Sequence, residues 1–146
     1  MTDLVLGPIA ASDPRFRNTL MSASLPTDDL DEDGRSFFVL HDGTGEALGY
    51  SGLENCGADL LLRSMVVVPE RRGQGLGRIL AKLTVAKAGR GADVYLATTT
   101  AAPFFRTVGF ETVSRADLPS AVLSTRQLSG LCPASATIMK LTRPPT

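Results

Sequence analysis

The segment that most restricts what this chain can fold into runs from Leu60 to Ala88. An apolar run stops at Pro69, passes through Glu70-Arg71-Arg72-Gly73-Gln74-Gly75-Leu76-Gly77-Arg78, and turns into an amphipathic pattern. Leu60 to Val68 is broken only by Arg63 and Ser64, as expected of a central strand covered on both faces. From Gly75 to Ala88, residues Leu76, Ile79, Leu80, Leu83, Val85 and Ala86 fall largely on one side at helical spacing, and Gly89-Arg90-Gly91 ends the run. A helix that starts among glycines turns its unpaired amides and the positive end of its dipole outward. Residues without Cβ let phosphate oxygens reach the backbone. Arg72 and Arg78 add charge. The bland alternative is a glycine-rich turn with solvated arginines; three glycines at alternate positions among arginines favour a phosphate ligand.

Two phosphate-binding loops are excluded by spacing. A Walker loop needs Gly-Lys followed by Ser or Thr, but Gly77 precedes Arg78. A dinucleotide fingerprint needs Gly-x-Gly-x-x-Gly, whereas these glycines read Gly-x-Gly-x-Gly, and Asp93 alone does not restore it.

Strands and helices alternate around this segment. Leu4 to Ile9 reads as a strand, and Asp13-Pro14 opens a helix towards Met21. The acidic stretch Thr27 to Asp33 is either a solvated turn or a loop over a binding site. Ser36 to His41 and Glu46 to Glu54, joined by Asp42-Gly43-Thr44-Gly45, form a hairpin. Val94 to Ala97, a helix from Ala101 to Val108 stopped by Gly109, and Phe110 to Val113 follow. Asp117-Leu118-Pro119 opens a helical stretch, and Ser135 to Leu141 is a closing strand. With 146 residues, 43% of them hydrophobic, one core and one domain over residues 1–146 are expected.

Fifteen basic residues balance fifteen acidic ones, so no net field draws in nucleic acid or an anionic membrane. A small or weakly charged partner fits better. Cys56 and Cys132 have no metal-ligand or disulfide spacing, so no metal is expected. The start lacks a basic and apolar leader, and no run of about 18 apolar residues occurs. These features predict a soluble, cytoplasmic protein.

The pattern Arg72-x-x-Gly75-x-Gly77 after Met65-Val66-Val67-Val68-Pro69-Glu70 resembles the signature of the GNAT acetyltransferase superfamily, and Phe104 to Phe110 resembles its second landmark. The resemblance implies an α/β GNAT fold: a mixed, mostly antiparallel sheet splayed between its fourth and fifth strands, with helices on both faces. It also implies acetyl-CoA as co-substrate. Met65, Val66 and Val67 would offer strand backbone to the pantetheine arm, which pairs like an added strand. Gly73, Gln74, Gly75, Leu76, Gly77 and Arg78, with Arg72 beside them, would hold the pyrophosphate. Phe105, expected against the cofactor, stands where many relatives carry a tyrosine that acts as general acid. Leu61 to Val67, Ala97 to Thr100 and Leu131 to Met139 further resemble small GNAT proteins of arsenic-resistance operons, which are similar to the acetyltransferase domain of N-acetylglutamate synthases. That likeness implies an amino acid or an analogue as acceptor. Homodimers are common among such proteins.

Acetyl transfer to an amine needs an unprotonated nitrogen, donors for a developing oxyanion and help for a departing thiolate. Thr98 sits where glutamate-acetylating relatives carry a hydroxyl that acts on the sulfur, with Thr99 as fallback and possible substrate contact. The three threonines also suit a strand end and helix cap. Glu54 is a candidate base through a water, or a plain strand-end glutamate. Arg63 grips a substrate carboxylate with Ser64 beside it, or pairs with Glu54 or Asp59. His41 reads as a solvent-edge residue, and Cys132 and Ser135 as packing. A protein or peptide N-acetyltransferase and a catalytically silent acetyl-CoA-binding module are the competing functions.

Overall fold

A computed structural model describes residues 4–89, 91–131 and 135–142. These residues form one seven-stranded sheet in the order β1-β2-β3-β4-β5-β7-β6. The strands are β1 (Val5–Ile9), β2 (Arg35–His41), β3 (Ala47–Cys56), β4 (Asp59–Val67), β5 (Val94–Thr98), β6 (Phe110–Thr112) and β7 (Thr137–Leu141). The α-helices are α1 (Pro14–Ser22), α2 (Leu76–Lys87), α3 (Ala102–Val108) and α4 (Ser120–Leu123). No helix among the described residues is long and apolar enough to cross a membrane.

Local chemistry explains the element ends. Asp13 accepts a hydrogen bond from Phe16 N at 3.0 Å, and Pro14 occupies the first turn, so α1 starts there. The β2–β3 turn closes when the Asp42 carboxylate accepts from Thr44 N at 2.9 Å. Gly109, with φ 110°, stops α3.

Helices α1 and α4 cover one face of the sheet. There, Phe16 and Leu20 meet Phe37, Tyr50 and Val66, while Val122 and Leu128 meet Leu61, Tyr95 and Ile138. Helices α2 and α3 cover the other face, where Leu76 and Leu80 pack on Leu40 and Leu48, and Phe105 packs with Leu62, Leu96 and Phe110. The helix expected over residues 75–88 is present, but its buried stripe is Leu76, Leu80, Ala81 and Thr84, while Ile79 and Ala86 face solvent. Thr84 fits the core because its hydroxyl donates to Leu80 O at 2.7 Å and bonds Ser51 Oγ at 2.6 Å. The tail differs from its expected outline. A short α4 leads into a wide turn at Gln127–Leu131, and the last strand begins at Thr137, inserted between β5 and β6.

Two departures from regular pairing matter for the site. Every neighbouring pair of strands is antiparallel except β4 and β5, which run parallel and register only at Leu60↔Val94 and Leu61↔Tyr95. Past Leu61 the two strands part, giving the splay that the resemblance implies. On the other side of β4, the register with β3 jumps from Gly52↔Arg63 to Tyr50↔Val66, so Ser64 and Met65 together stand opposite Ser51. This is a β-bulge, and Ser64 takes a left-handed φ of 56° to make it.

Gly49 shows how tightly β3 is held under α2: a Cβ there would lie 2.8 Å from Val66 O and 3.1 Å from Leu80 Cδ2. Gly49→Ala is therefore expected to cost about 1–3 kcal/mol through overpacking, read as a lower urea midpoint with unchanged m-value.

Candidate active site

The parting of β4 and β5 opens a cavity of about 510 Å³. Leu62, Arg63, Ser64 and Met65 line it from β4, and Leu96 to Ala101 from β5 and the turn after it. Phe104 and Phe105 come from α3, Ala23 to Pro26 from the loop after α1, and Gln127 from the wide turn near the C-terminus. The β4 bulge lies in this wall. A bulge places an extra residue without a partner opposite it in the ladder, so the Ser64–Met65 backbone departs here from regular pairing.

The glycine loop follows β4 directly through the turn Pro69–Arg71. Gly75, the N-cap of α2, has φ 77°, Gly73 has φ 83°, and no side chain caps the helix. A Cβ added at Gly73 or Gly75 would meet nothing within 4 Å. The loop is thus an open cradle whose left-handed turns favour glycine and whose helix amides lack a side-chain cap. Gln74 and Arg78 are exposed on it, while the Leu76 side chain is turned into the core and leaves only its backbone outward. Gly77 matters for packing instead. A Cβ there would press to 3.3 Å on Phe104, so its absence lets α2 sit against α3. Arg72 Nε donates to Val67 O at 3.2 Å and Arg78 Nη1 to Thr107 O at 3.0 Å, which holds both guanidinium groups on the loop's flanks.

Of the residues singled out from sequence, Arg63, Ser64, Met65, Thr98, Thr99 and Phe105 share the cavity wall. The Thr98 hydroxyl accepts from Ala101 N at 3.0 Å, the cap geometry, and its own proton remains available to donate. Phe105 is buried edge-on between Phe104 and Phe110, at 5.1 and 5.7 Å between ring centres. The chain's two tyrosines, Tyr50 and Tyr95, are buried in cores on the α1 and α4 face, where burial raises both hydroxyls, and neither lines the cavity.

Arg63 lines the cavity with its charge already met by carboxylates, and Glu54 is one of them. Arg63 Nη1 and Nη2 donate to Asp29 Oδ2 and Oδ1, each at 2.6 Å, and Nη1 also donates to Glu54 Oε1 at 2.8 Å. Arg35 Nη2 reaches Asp29 Oδ2 at 2.9 Å and Glu54 Oε2 at 3.4 Å. Glu54 does not line the cavity, and both its oxygens face guanidinium groups. The pairing of Arg63 with Glu54 was one of the alternatives open from sequence; Asp29 was not. Asp59 instead accepts from Asp93 N at 3.3 Å. The signal for Asp29 was present: an interior strand arginine demands anions, and Asp29-Leu30 is an acidic residue beside an apolar one in an otherwise polar stretch. Ser24, Leu25, Pro26 and Gln127 were also missed, since nothing in their spacing ties them to β4.

Burial alone would raise the Asp29 carboxyl, but the hydrogen bonds and charges of Arg63 and then Arg35 lower it to about 2. Burial, reinforced by the charges of Glu54 and Asp59, pushes the Cys56 thiol up to about 12, so it is no nucleophile near neutrality. Cys132 lies outside the described residues.

Residues 33–112, more than half of the chain, match the family described as acetyltransferase (GNAT) domain. The chain belongs to that family. As a GNAT acetyltransferase it shares its fold with several solved structures. N-acetylglutamate synthase from Neisseria gonorrhoeae, solved with coenzyme A and L-arginine, is 21% identical with TM-score 0.73; the match covers 96% of this chain and 34% of the synthase. An acetyltransferase of the GNAT family from Staphylococcus aureus MU50 is 16% identical over 95% of this chain and 98% of its own, with TM-score 0.68. A variant of spermidine N-acetyltransferase from Vibrio cholerae is 15% identical over 94% and 92%, with TM-score 0.67. No curated protein sequence matches the chain.

The lowered Asp29 carboxyl sets an acid limit on stability. Its contribution is complete above the unfolded value near 3.8 and is lost as pH falls towards about 2. That span corresponds to roughly 2 kcal/mol. Urea unfolding at a series of pH values should show this loss in the wild type and lack it in Asp29→Asn, which starts less stable at neutral pH.

Proposed function

We propose that this GNAT acetyltransferase transfers the acetyl group of acetyl-CoA to the amine of a small molecule, by direct attack with both substrates bound. The observation that carries the reading is the open β5-facing side of β4 past Leu61, continuous with the uncapped start of α2. An extended arm fits along Met65 to Val67 as an added strand, and a diphosphate fits over Gly73 to Arg78. The donor supplies a thioester: the lone pair of an unprotonated amine forms the new C–N bond, the C–S bond breaks to release a thiolate, and the proton lost from nitrogen passes through water to that thiolate.

The chain's own groups serve that chemistry from fixed places. The bulge puts the Ser64–Met65 backbone beside the cavity, and we assign its amides as donors for a developing oxyanion. The Thr98 hydroxyl donates towards the leaving sulfur, and a hydrogen bond suffices because a thiol of pKa about 8.5 leaves readily as thiolate. Phe105 supplies apolar wall in place of a proton donor. Glu54 we assign to holding Arg63 and Arg35, so the acceptor amine enters with its lone pair free.

For the acceptor we favour an amino acid or an analogue, arsenical ones included, a choice supported by the fold shared with N-acetylglutamate synthase. Since the Arg63 charge is matched by two carboxylates, an acceptor carboxylate would be met by the hydroxyls of Ser64 and Thr99. The fold shared with spermidine N-acetyltransferase keeps polyamines in the panel.

The test is CoA release with acetyl-CoA against amino acids, arsenical and phosphinic analogues, polyamines and simple amines. Turnover of at least one small amine is expected; acetyl-CoA binding with no release from any acceptor overturns the reading in favour of a silent module. Thr98→Val is expected to lower kcat about tenfold with little change in acetyl-CoA KM. With an α-amine acceptor, kcat/KM should rise with pH up to the amine's own pKa, and a plateau far below it would show that an enzyme base takes the amine proton.

A further inference from the structure

The loop after α1 lines the cavity away from the proposed donor path along β4 and the start of α2, which makes it the acceptor side. Its apolar hold is limited to Ala23, Leu25 and Leu30. Between α1 and β2 it presents Ala23, Ser24, Leu25 and Pro26 to the cavity and then runs through Thr27 to Gly34. Leu30 is buried in the α1 core, and beside it Asp29 is wholly inaccessible. Leu30 packs the loop on the sheet, and Asp29 adds a directional tie to β4 and β2 through Arg63 and Arg35.

The tie is a fork on a fork. Two parallel guanidinium N–H groups of Arg63 meet the two Asp29 oxygens at 2.6 Å each, a geometry that sets orientation as well as distance. The Arg63 Nε donates to Ser64 Oγ at 3.3 Å, at the left-handed residue of the bulge. The guanidinium stands 5.8 Å from the Phe37 ring centre, which limits its movement further. One side chain therefore touches the acceptor loop, its neighbour Glu54 on β3, and the bulge that faces the reacting atoms. Well-packed apolar side chains would fasten a loop at least as firmly as buried charges, but without fixing its angle. Outside the cluster, Arg17 pairs with Asp31 and Arg126 with Glu32 at exposed positions, where ion pairs contribute little.

Building on the proposed function, we infer that Asp29 and Arg63 are positioning residues: the fork sets the acceptor-side wall relative to the Ser64 bulge, and so governs acceptor binding and alignment rather than cofactor binding. Neither residue touches the reacting atoms. Their effect passes through Ala23 to Pro26 on one side and Ser64 on the other. Charge alone is not enough, because the register depends on two parallel bonds that a lysine at position 63 cannot make.

The experiment compares Asp29→Asn, Arg63→Lys and the exposed control Asp31→Asn, each with steady-state kinetics in both substrates and backbone hydrogen exchange. Asp29→Asn and Arg63→Lys are expected to raise acceptor KM about tenfold or more while acetyl-CoA KM stays within about twofold. Exchange should quicken over residues 23–33 and hold steady over 65–78, and Asp31→Asn should match the wild type. An unchanged acceptor KM overturns the inference, as does a parallel rise in both KM values with faster exchange across the whole sheet. If Asp29→Asn does not fold, Asp29→Glu keeps the charge and displaces the fork by one methylene. It should give the same pattern at a smaller size, and no shift overturns the inference. If the wild type acetylates no amine, the proposed function fails, while the exchange pattern still decides whether the fork holds this loop.

Discussion

The site depends on a pairing that stops. Strands β4 and β5 share two residue pairs and then separate, although each continues, β4 along β3 and β5 along β7. Parallel neighbours usually run together under helical cover. Here the cover itself is divided, with α1 and its loop, α3, and the Gln127 turn standing around the opening. The cavity is therefore a product of topology, bounded on both sides by strands whose other edges stay paired, β4 with β3 except at the bulge and β5 with β7.

Within that opening, polar and strained features are kept apart from the charged ones. The bulge at Ser64 and the threonine turn at Thr98 to Thr100 face the cavity, while the ionised groups gather behind Arg63. A guanidinium matched by two carboxylates adds little field to its surroundings, so the proposed chemistry would rest on amides and hydroxyls of the cavity wall. Four ionised side chains in the interior are costly to desolvate, and their close, forked geometry offsets that cost.

How much of this could be read from the residues depended on how local each signal was. The glycine loop, α2 and the order of strands were legible because capping, period and turn chemistry act over a few residues. The bulge was not, since Arg63-Ser64 appeared only as an interruption of an apolar run; its meaning lies in the register with β3. The partner of Arg63 was half legible: its need for an anion is a property of the residue, but the choice of Asp29, 34 positions away, is made by the fold. Helix α2 also shows the limit of periodicity. Ile79 fits the apolar pattern yet faces solvent, because the buried stripe is set by where the helix rests on β3.

The left-handed turns at Gly73 and Gly75 and the parted strands have a shared consequence for selectivity. Along that seam the backbone offers donors and acceptors that are satisfied either by water or by whatever lies there, and exchanging one for the other changes the free energy only modestly per bond. Discrimination among thioesters then has to come from reach. On the proposed binding path a donor would qualify by spanning the distance from the helix end to the bulge with its sulfur at the right station, so the protein would measure it much as a ruler does, and shorter thioesters that carry the same acyl group would lie poorly in it.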